Sequence, residues 1–321
     1  MHNTFGNKIK IEIYGGSHTE DIGIKVYGLP ISFSIEQSEF EKDISRRRPG
    51  ALGTTARVEE DIPFLTWHSD YLKINFKNQN IDDNAYKKFV DHPRPSHADL
   101  VQYLKYGTEY NMYGGGMASG RMTLPLVALG VVCKKLLNEK YPDLSIECKI
   151  KQLKDSTNPK EFDEIIDKAI RTQTSIGAIL ACKVNNMPKC VGEPFFDSLE
   201  SMIAHLVFSV PGIKGIEFGD GFGCVLKTGK ERNDIIINEN GETQTNNEGG
   251  INGGISNGMP VEFNVAVKPT ASIYSPQETY NFKDKCIEPL QITGRHDICF
   301  ARRVPVIIEA ITAYAILELI S

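Results

Sequence analysis

No apolar run in the 321-residue chain is long enough to span a bilayer. The two longest, 123–137 and 304–320, are broken by Pro125 and Lys134 and by Glu309 and Glu318, and they read as buried helices. The first residues lack the basic-then-apolar pattern of a targeting signal. Positive charge is not in excess: 36 Lys and Arg against 41 Asp and Glu leave a formal charge of −5, which argues against a nucleic-acid partner. The seven cysteines include no CxxC pair and no metal-ligand spacing, so they read as reduced thiols of a cytoplasmic protein with no metal site. GxxxxGKS/T is absent and so is a usable GxGxxG, which leaves a P-loop or a dinucleotide fingerprint unsupported.

What is present fits an ordinary globular chain. Apolar residues make up 40% and charged residues 24%, enough for a sizeable core without a disulfide or metal staple. Ile9, Ile11 and Ile13 alternate with Lys8, Lys10 and Glu12, the period of a strand with one wet face. The same alternation at 31–35 and at Val261, Phe263, Val265 and Val267 predicts further strands, and clean alternation favours antiparallel sheets. Apolar stripes at Phe162, Ile165, Ile166, Ala169 and Ile170, and at Leu199, Met202, Ile203, Leu206 and Val207, predict amphipathic helices. Asp197 with Glu200 predicts a capping box at the start of the second. Residues 123–137 are apolar nearly all round, which places that helix in the middle of the core, and a last helix begins at Pro305. No stretch reads as a linker. The expected architecture is one α+β domain over 1–321, with helices packed by antiparallel sheets.

Chemistry-bearing side chains gather in turn-rich clusters. Gly15-Gly16-Ser17-His18 follows the first strand and either aims an imidazole into a cleft as acid or base, or is a solvated turn. Arg46, Arg47 and Arg48 crowd three cations, suited to phosphate or carboxylate, or form a solvated charge run. Arg57, followed by Glu59, Glu60 and Asp61, reads as locally paired. Pro93 and Pro95 stiffen Arg94 beside His97, a candidate proton donor to a leaving oxyanion, with Asp99 as its structural holder. Gly114-Gly115-Gly116 turns toward a helix and offers backbone N–H groups, with Ser119 adding a hydroxyl and Arg121 a cation. The glycines of 249–258 lead across one strand to Lys268-Pro269-Thr270-Ala271-Ser272, either a close approach to a flat ring or phosphate, or a hairpin with a wide turn. Gly294-Arg295-His296-Asp297 precedes the last helix. Many arginines, two candidate proton donors and one carboxylate, without a metal cluster or a nucleophile–base pair, suit elimination or transfer on a multiply anionic small molecule better than hydrolysis.

Taken in order, GGSHT, RRRPG, RPSHAD, GGGMASGRMT, IKGIEFGDGF, GGINGGISNG, KPTAS and GRHD resemble the chorismate synthase family across about residues 3 to 310. The resemblance implies central helices sandwiched between two antiparallel four-stranded sheets, and a homotetramer. It implies conversion of 5-enolpyruvylshikimate 3-phosphate to chorismate by 1,4-elimination of phosphate, in aromatic amino-acid biosynthesis, with reduced FMN. By motif, His18 would protonate the reduced flavin, His97 would serve the departing phosphate and Asp297 would assist proton removal at the flavin. Substrate anions would meet Arg46, Arg47, Arg94, Ser119, Arg121 and Arg295. FMN would lie along Ala118, Ser119, Pro211, Gly212, Gly253, Lys268, Pro269, Thr270, Ala271, Ser272 and Arg295. Arg47 also falls where some members contact NADP, so NADPH joins the implied cofactors.

The sequence departs from the family pattern as well. GESHG reads GGSHT here, changing positions Gly16 and Thr19. GGRSSARETxxR becomes GGGMASGRMTLPL, with Met117 and Leu126 in place of arginines and Met122 in place of glutamate. Charged hydrogen bonds contribute roughly 1.5–3 kcal/mol each, so two lost cations beside a polyanion would weaken binding. The expectation that follows is a more apolar pocket, and with it the alternative of a divergent homologue with altered substrate or lost catalysis that retains flavin binding.

Overall fold

The computed structural model describes residues 3–79, 81, 84–107 and 113–320. Alternating segments near the N-terminus build an antiparallel sheet from β1 (Thr4–Phe5), β2 (Ile11–Gly15), β3 (Asp21–Tyr27), β4 (Phe64–Trp67) and β5 (Tyr71–Lys77), in the order β1-β2-β3-β5-β4. Its register aligns Ile13, Ile24, Ile74 and Leu65 in one apolar row across four strands. The second sheet, also antiparallel, runs β6 (Ser145–Leu153), β7 (Ala178–Asn185), β11 (Val261–Val267) and β8 (Ile213–Phe218). Here Ile150, Leu180, Val265 and Ile216 form the matching row. Two hairpins complete the strands: β9 (Ile251–Asn252) with β10 (Ile255–Ser256), and β12 (Gln277–Asn281) with β13 (Cys286–Leu290). The first sheet thus has five strands where four were expected, the extra one being the two-residue β1.

The helices are α1 (Glu41–Arg47), α2 (Asp99–Tyr106), α3 (Thr123–Lys140), α4 (Phe162–Arg171), α5 (Leu199–Ser209), the single turn α6 (Gly229–Arg232) and α7 (Pro305–Ile320). The sequence of α3 and α7 has no polar stripe, so neither can lie on a surface; α3 packs on α7, α3 reaches β3 and β5, and α7 reaches β6 and β7. That is the helix layer between two sheets. The helices approach closely because position 130 is glycine: a Cβ there would lie 2.2 Å from Ala310 Cβ.

The last helix also holds the first strands. Glu318, buried on α7, accepts the backbone N–H groups of Asn7, Lys8 and Ile9 at 2.5, 2.9 and 2.9 Å. Tyr314 donates its hydroxyl to the carbonyl of Ile9 at 2.8 Å. The alternation at 9–13 therefore begins as a segment clamped by a helix and becomes strand only at Ile11.

Two expectations are corrected. Residues 31–35 are not a strand: Phe33 N–H closes a turn onto Pro30 O at 2.9 Å, and Phe33 and Ile35 bury their side chains from irregular backbone while Ile31 is exposed. The cap of α5 is Ser198, whose hydroxyl accepts Ser201 N–H at 3.0 Å, and Asp197 is not the capping residue.

Candidate active site

Two communicating hollows open at the end of the helix layer. One is a small polar cavity of about 170 Å³, with Ser17, His18, Arg94, His97, Ser119, Arg121, Ser272, Arg295 and Asp297 in its wall. The other is a groove of about 530 Å³ bounded by Met117, Ala118, Phe208, Pro211, Gly212, Phe300 and the stretch Lys268, Pro269, Thr270, Ala271. His97, Ala118, Gly120, Thr270 and Asp297 line both, so the hollows share a wall.

His18 sits in the turn between β2 and β3. Its Nδ1 lies 3.1 Å from the carbonyl of Tyr113, and its ring meets Tyr86 edge-on with centroids 4.7 Å apart. The glycine run closes over this imidazole, and at Gly114 (φ +61°) a Cβ would come within 2.1 Å of His18 Cε1. The neighbouring Ser17 is held from the other side by Arg57, which donates to its hydroxyl and its carbonyl at 3.1 Å each. Arg57 also pairs with Glu59 at 2.8 Å, the local partner its sequence suggested.

His97 precedes α2. Its Nδ1 lies 2.7 Å from Asp99 Oδ1 and 3.1 Å from Arg94 Nη2; the shorter contact, to the carboxylate, favours the proton on Nδ1 and leaves Nε2 as the available nitrogen. Arg94 grips the same carboxylate with Nε and Nη2 at 2.7 and 2.8 Å, gives Nη1 to Ser272 Oγ at 3.0 Å, and lies 4.4 Å over the Phe89 ring. Burial pushes the Asp99 carboxyl up, but the bonds from Arg94 and His97 outweigh it and hold the group well below the usual carboxylate range. Burial pulls His97 below the ordinary histidine value, against the bond to Asp99. His296 is depressed by burial and by Arg94 and His97 to about 4, so it is neutral at neutral pH.

Arg121 is the cation at the base of α3. Its Nη1 pairs with Asp61 and its Nε donates to Asn78 Oδ1 at 3.0 Å, while its buried Nη2 has no hydrogen-bond partner. Thr270 Oγ1 and His296 Nε2 are likewise buried without partners in the wall of the same cavity. Three unmet polar atoms around one small space are what a polar, anionic ligand would satisfy. Asp297 accepts Thr55 N–H at 2.8 Å and faces Arg303 Nη1 at 3.2 Å.

Some expected residues lie elsewhere. Arg46 pairs bidentately with Glu309 at 2.6 and 2.7 Å in a separate hollow on the α1–α3 face, so it is not a lining residue of this site. Arg47 is only 1% exposed, and it donates to Thr123 Oγ1, Asp61 and the carbonyls of Gly120 and Arg121, all inside the protein. It supports the cavity wall from behind and is not among the residues that line either hollow. Gly253 occupies the turn of the β9–β10 hairpin, exposed and outside the groove. Met122 and Leu126 are core residues, so the loss of charge there does not make the cavity apolar; Met117 alone of the three lines the groove. Asn78, Tyr86 and Arg303 are site-forming residues the sequence did not single out, and Asp61, read there as a local partner of Arg57, pairs instead with Arg47 and Arg121. For Asp61 a signal existed: it lies in a Glu-rich run too short to need so many solvated acids.

The groove suits a flat ring with an anionic tail. Its walls are apolar at Met117, Phe208 and Phe300, Lys268 stands at one end with Nζ 3.0 Å from Ser96 O, and a Cβ at Gly120 would press on Phe300 at 3.0 Å.

Comparison with known proteins identifies the family. The family model described as chorismate synthase matches residues 9–320. A curated chorismate synthase of Chitinophaga pinensis is 43% identical over 98% of this chain and 96% of its own length. Those of Methanococcus vannielii and Synechocystis sp. are 34% and 35% identical, over 99% of this chain and 96% and 97% of their own lengths. A crystal structure of a chorismate synthase superposes with a TM-score of 0.75 over 98% of this chain and 92% of its own, at 20% identity, which speaks to the fold.

Proposed function

The chain belongs to the chorismate synthase family, and from that premise we propose that it converts 5-enolpyruvylshikimate 3-phosphate to chorismate by 1,4-elimination of phosphate. One observation carries the assignment of the site: His18, His97, Asp297, Arg121 and Ser119, widely spaced in sequence, line a single cavity in which the inner nitrogen of Arg121 has no protein partner.

Arg121 Nη2 and Arg295 receive the substrate's anionic groups, and Ser119 adds a hydroxyl. Asp61 and Asn78 hold the other two guanidinium nitrogens of Arg121, so its free edge is already oriented before substrate arrives. His97, its Nδ1 fixed on Asp99, offers Nε2 to the departing phosphate oxygen as proton donor. Asp297, held between Thr55 N–H and Arg303, would assist proton removal at the flavin. His18 lines the cavity under the lid made by Gly114, where it would serve as the proton donor to the reduced flavin.

Reduced FMN, when bound, supplies the electron density that labilises the leaving phosphate. Lys268 and the Pro269 to Ser272 stretch, with Ala118, Pro211 and Gly212, would hold it. Because Arg47 is enclosed, we read the chain as taking its flavin already reduced, with no NADPH contact at that position. The cytoplasm is the proposed compartment, a reading supported by seven free cysteines. A homotetramer is the proposed assembly, with 1–321 acting as one catalytic unit; the exposure of Phe196, Phe222 and Leu226 at 91%, 83% and 87% supports self-association, as does a Gly253 that lies away from its own groove.

Anaerobic assay with reduced FMN and 5-enolpyruvylshikimate 3-phosphate tests the reading. Release of inorganic phosphate with chorismate formation is expected, and Arg121→Ala should raise KM at least tenfold. A well-folded wild-type protein that releases no phosphate would reject the activity.

A further inference from the structure

Asn78 is the first residue after β5, and its backbone N–H continues the strand pairing onto Glu20 O at 2.9 Å. Its side chain is buried and fully engaged. The amide NH₂ donates to the carbonyls of Gly16 and Thr19 at 3.2 and 2.7 Å, the two residues that bracket Ser17 and His18. The amide oxygen accepts Arg121 Nε at 3.0 Å. One planar group therefore joins the turn that carries the histidine to the guanidinium that faces the cavity. Only an amide does both: a carboxylate has no donor for the turn carbonyls, an ammonium has no acceptor for Arg121, and an isosteric leucine has neither. Arg57 holds Ser17 and the carbonyl of Tyr113 meets His18, but neither of these ties reaches Arg121. Thr19 closes the turn internally onto Gly16 and Asp21, and Ser17 N–H reaches Gly116 O at 3.2 Å.

We propose that Asn78 is a positioning residue that locks the His18 turn and Arg121 into one geometry, so that anion binding and proton delivery are set by a single side chain. The inference rests on the reaction proposed above. It assigns Asn78 no contact with substrate; its effect passes through the two groups it holds. Asp61, by contrast, holds Arg121 and Arg47.

The test compares three substitutions in the full-length chain, assayed anaerobically with reduced FMN. Asn78→Leu keeps the volume and removes both arms; turnover at saturating substrate is expected to fall at least tenfold and KM to rise at least fivefold. Asp61→Asn weakens the hold on Arg121 and leaves the bonds of Asn78 to the turn in place, so it is expected to raise KM by a larger factor than it lowers turnover. Asn78→Ala leaves an amide-sized gap, and added acetamide should restore a part of its turnover that added acetate does not. A simple packing role would move melting temperature and leave the KM-against-kcat split untouched. If Asn78→Leu does not fold, the alanine variant with and without acetamide decides. The proposal is overturned if either folded Asn78 variant turns over within threefold of wild type, if Asn78→Leu alters KM alone, or if acetamide and acetate act alike. Failure of the underlying reaction would look different, as wild type itself would release no phosphate.

Discussion

His97 stands between opposing influences: burial lowers its proton affinity, the bond to Asp99 raises it, and Arg94 lowers it again. The net depression leaves a neutral imidazole at neutral pH before substrate binds. A phosphorylated dicarboxylate beside it favours the charged ring and raises its pKa. Between the two values binding takes up a proton, and affinity falls as pH rises through the upper one. Calorimetric titrations in buffers of different ionisation enthalpy, from about pH 6 to 8, should show that uptake; a proton count of zero throughout would remove His97 as donor. At this scale His97, His18 and Asp297 were legible because each lies in a short segment of turn residues that presents a polar side chain. Arg46 and Arg47 were not separable. Consecutive residues on a helix point about 100° apart, so one meets Glu309 and the other Asp61, and three identical letters do not say which faces a cavity. Asn78 was silent because a lone polar residue after an alternating strand looks like one on its wet face.

Among the elements, α3 and α7 carry the architecture, and both were readable as unbroken apolar segments. Their mutual approach was not: a helical glycine in such a run looks like a weakness until its partner is known. Gly130→Ala places a methyl 2.2 Å from Ala310 Cβ and should destabilise the fold by about 1–3 kcal/mol or more. Urea unfolding would report this as a lower midpoint with an unchanged slope. Alternation proved sufficient for β11, where β7 and β8 flank the segment on both sides, and insufficient for 31–35, with which no strand pairs among the described residues. Period two records which side chains are buried; ladder bonds also require a neighbour. The cap of α5 shows a smaller version of the same limit, since Asp197 and Ser198 are both good capping residues and only the backbone path selects the serine.

At the scale of the whole molecule, the two sheets and the helix layer followed from alternating and continuous apolar segments, whereas the surface did not announce its own partners. Exposed apolar side chains concentrate at Phe195 and Phe196, at Phe222, Val225 and Leu226, and at Ile235, Ile236 and Ile237. Sedimentation velocity should give a four-chain particle, and Phe222→Glu with Leu226→Glu should shift it to smaller species; a monomeric wild type at micromolar concentration would discard the assembly. The clamp of Glu318 on Asn7 has a different consequence. These residues are separated by 311 positions. At about 5–20 residues per second the ribosome makes the opening strand on the order of 15–60 s before the helix that fastens it. The segment Asn7 to Ile9 therefore stays unfastened until Glu318 emerges, and the N-terminal sheet gains this anchor long after its own strands are made.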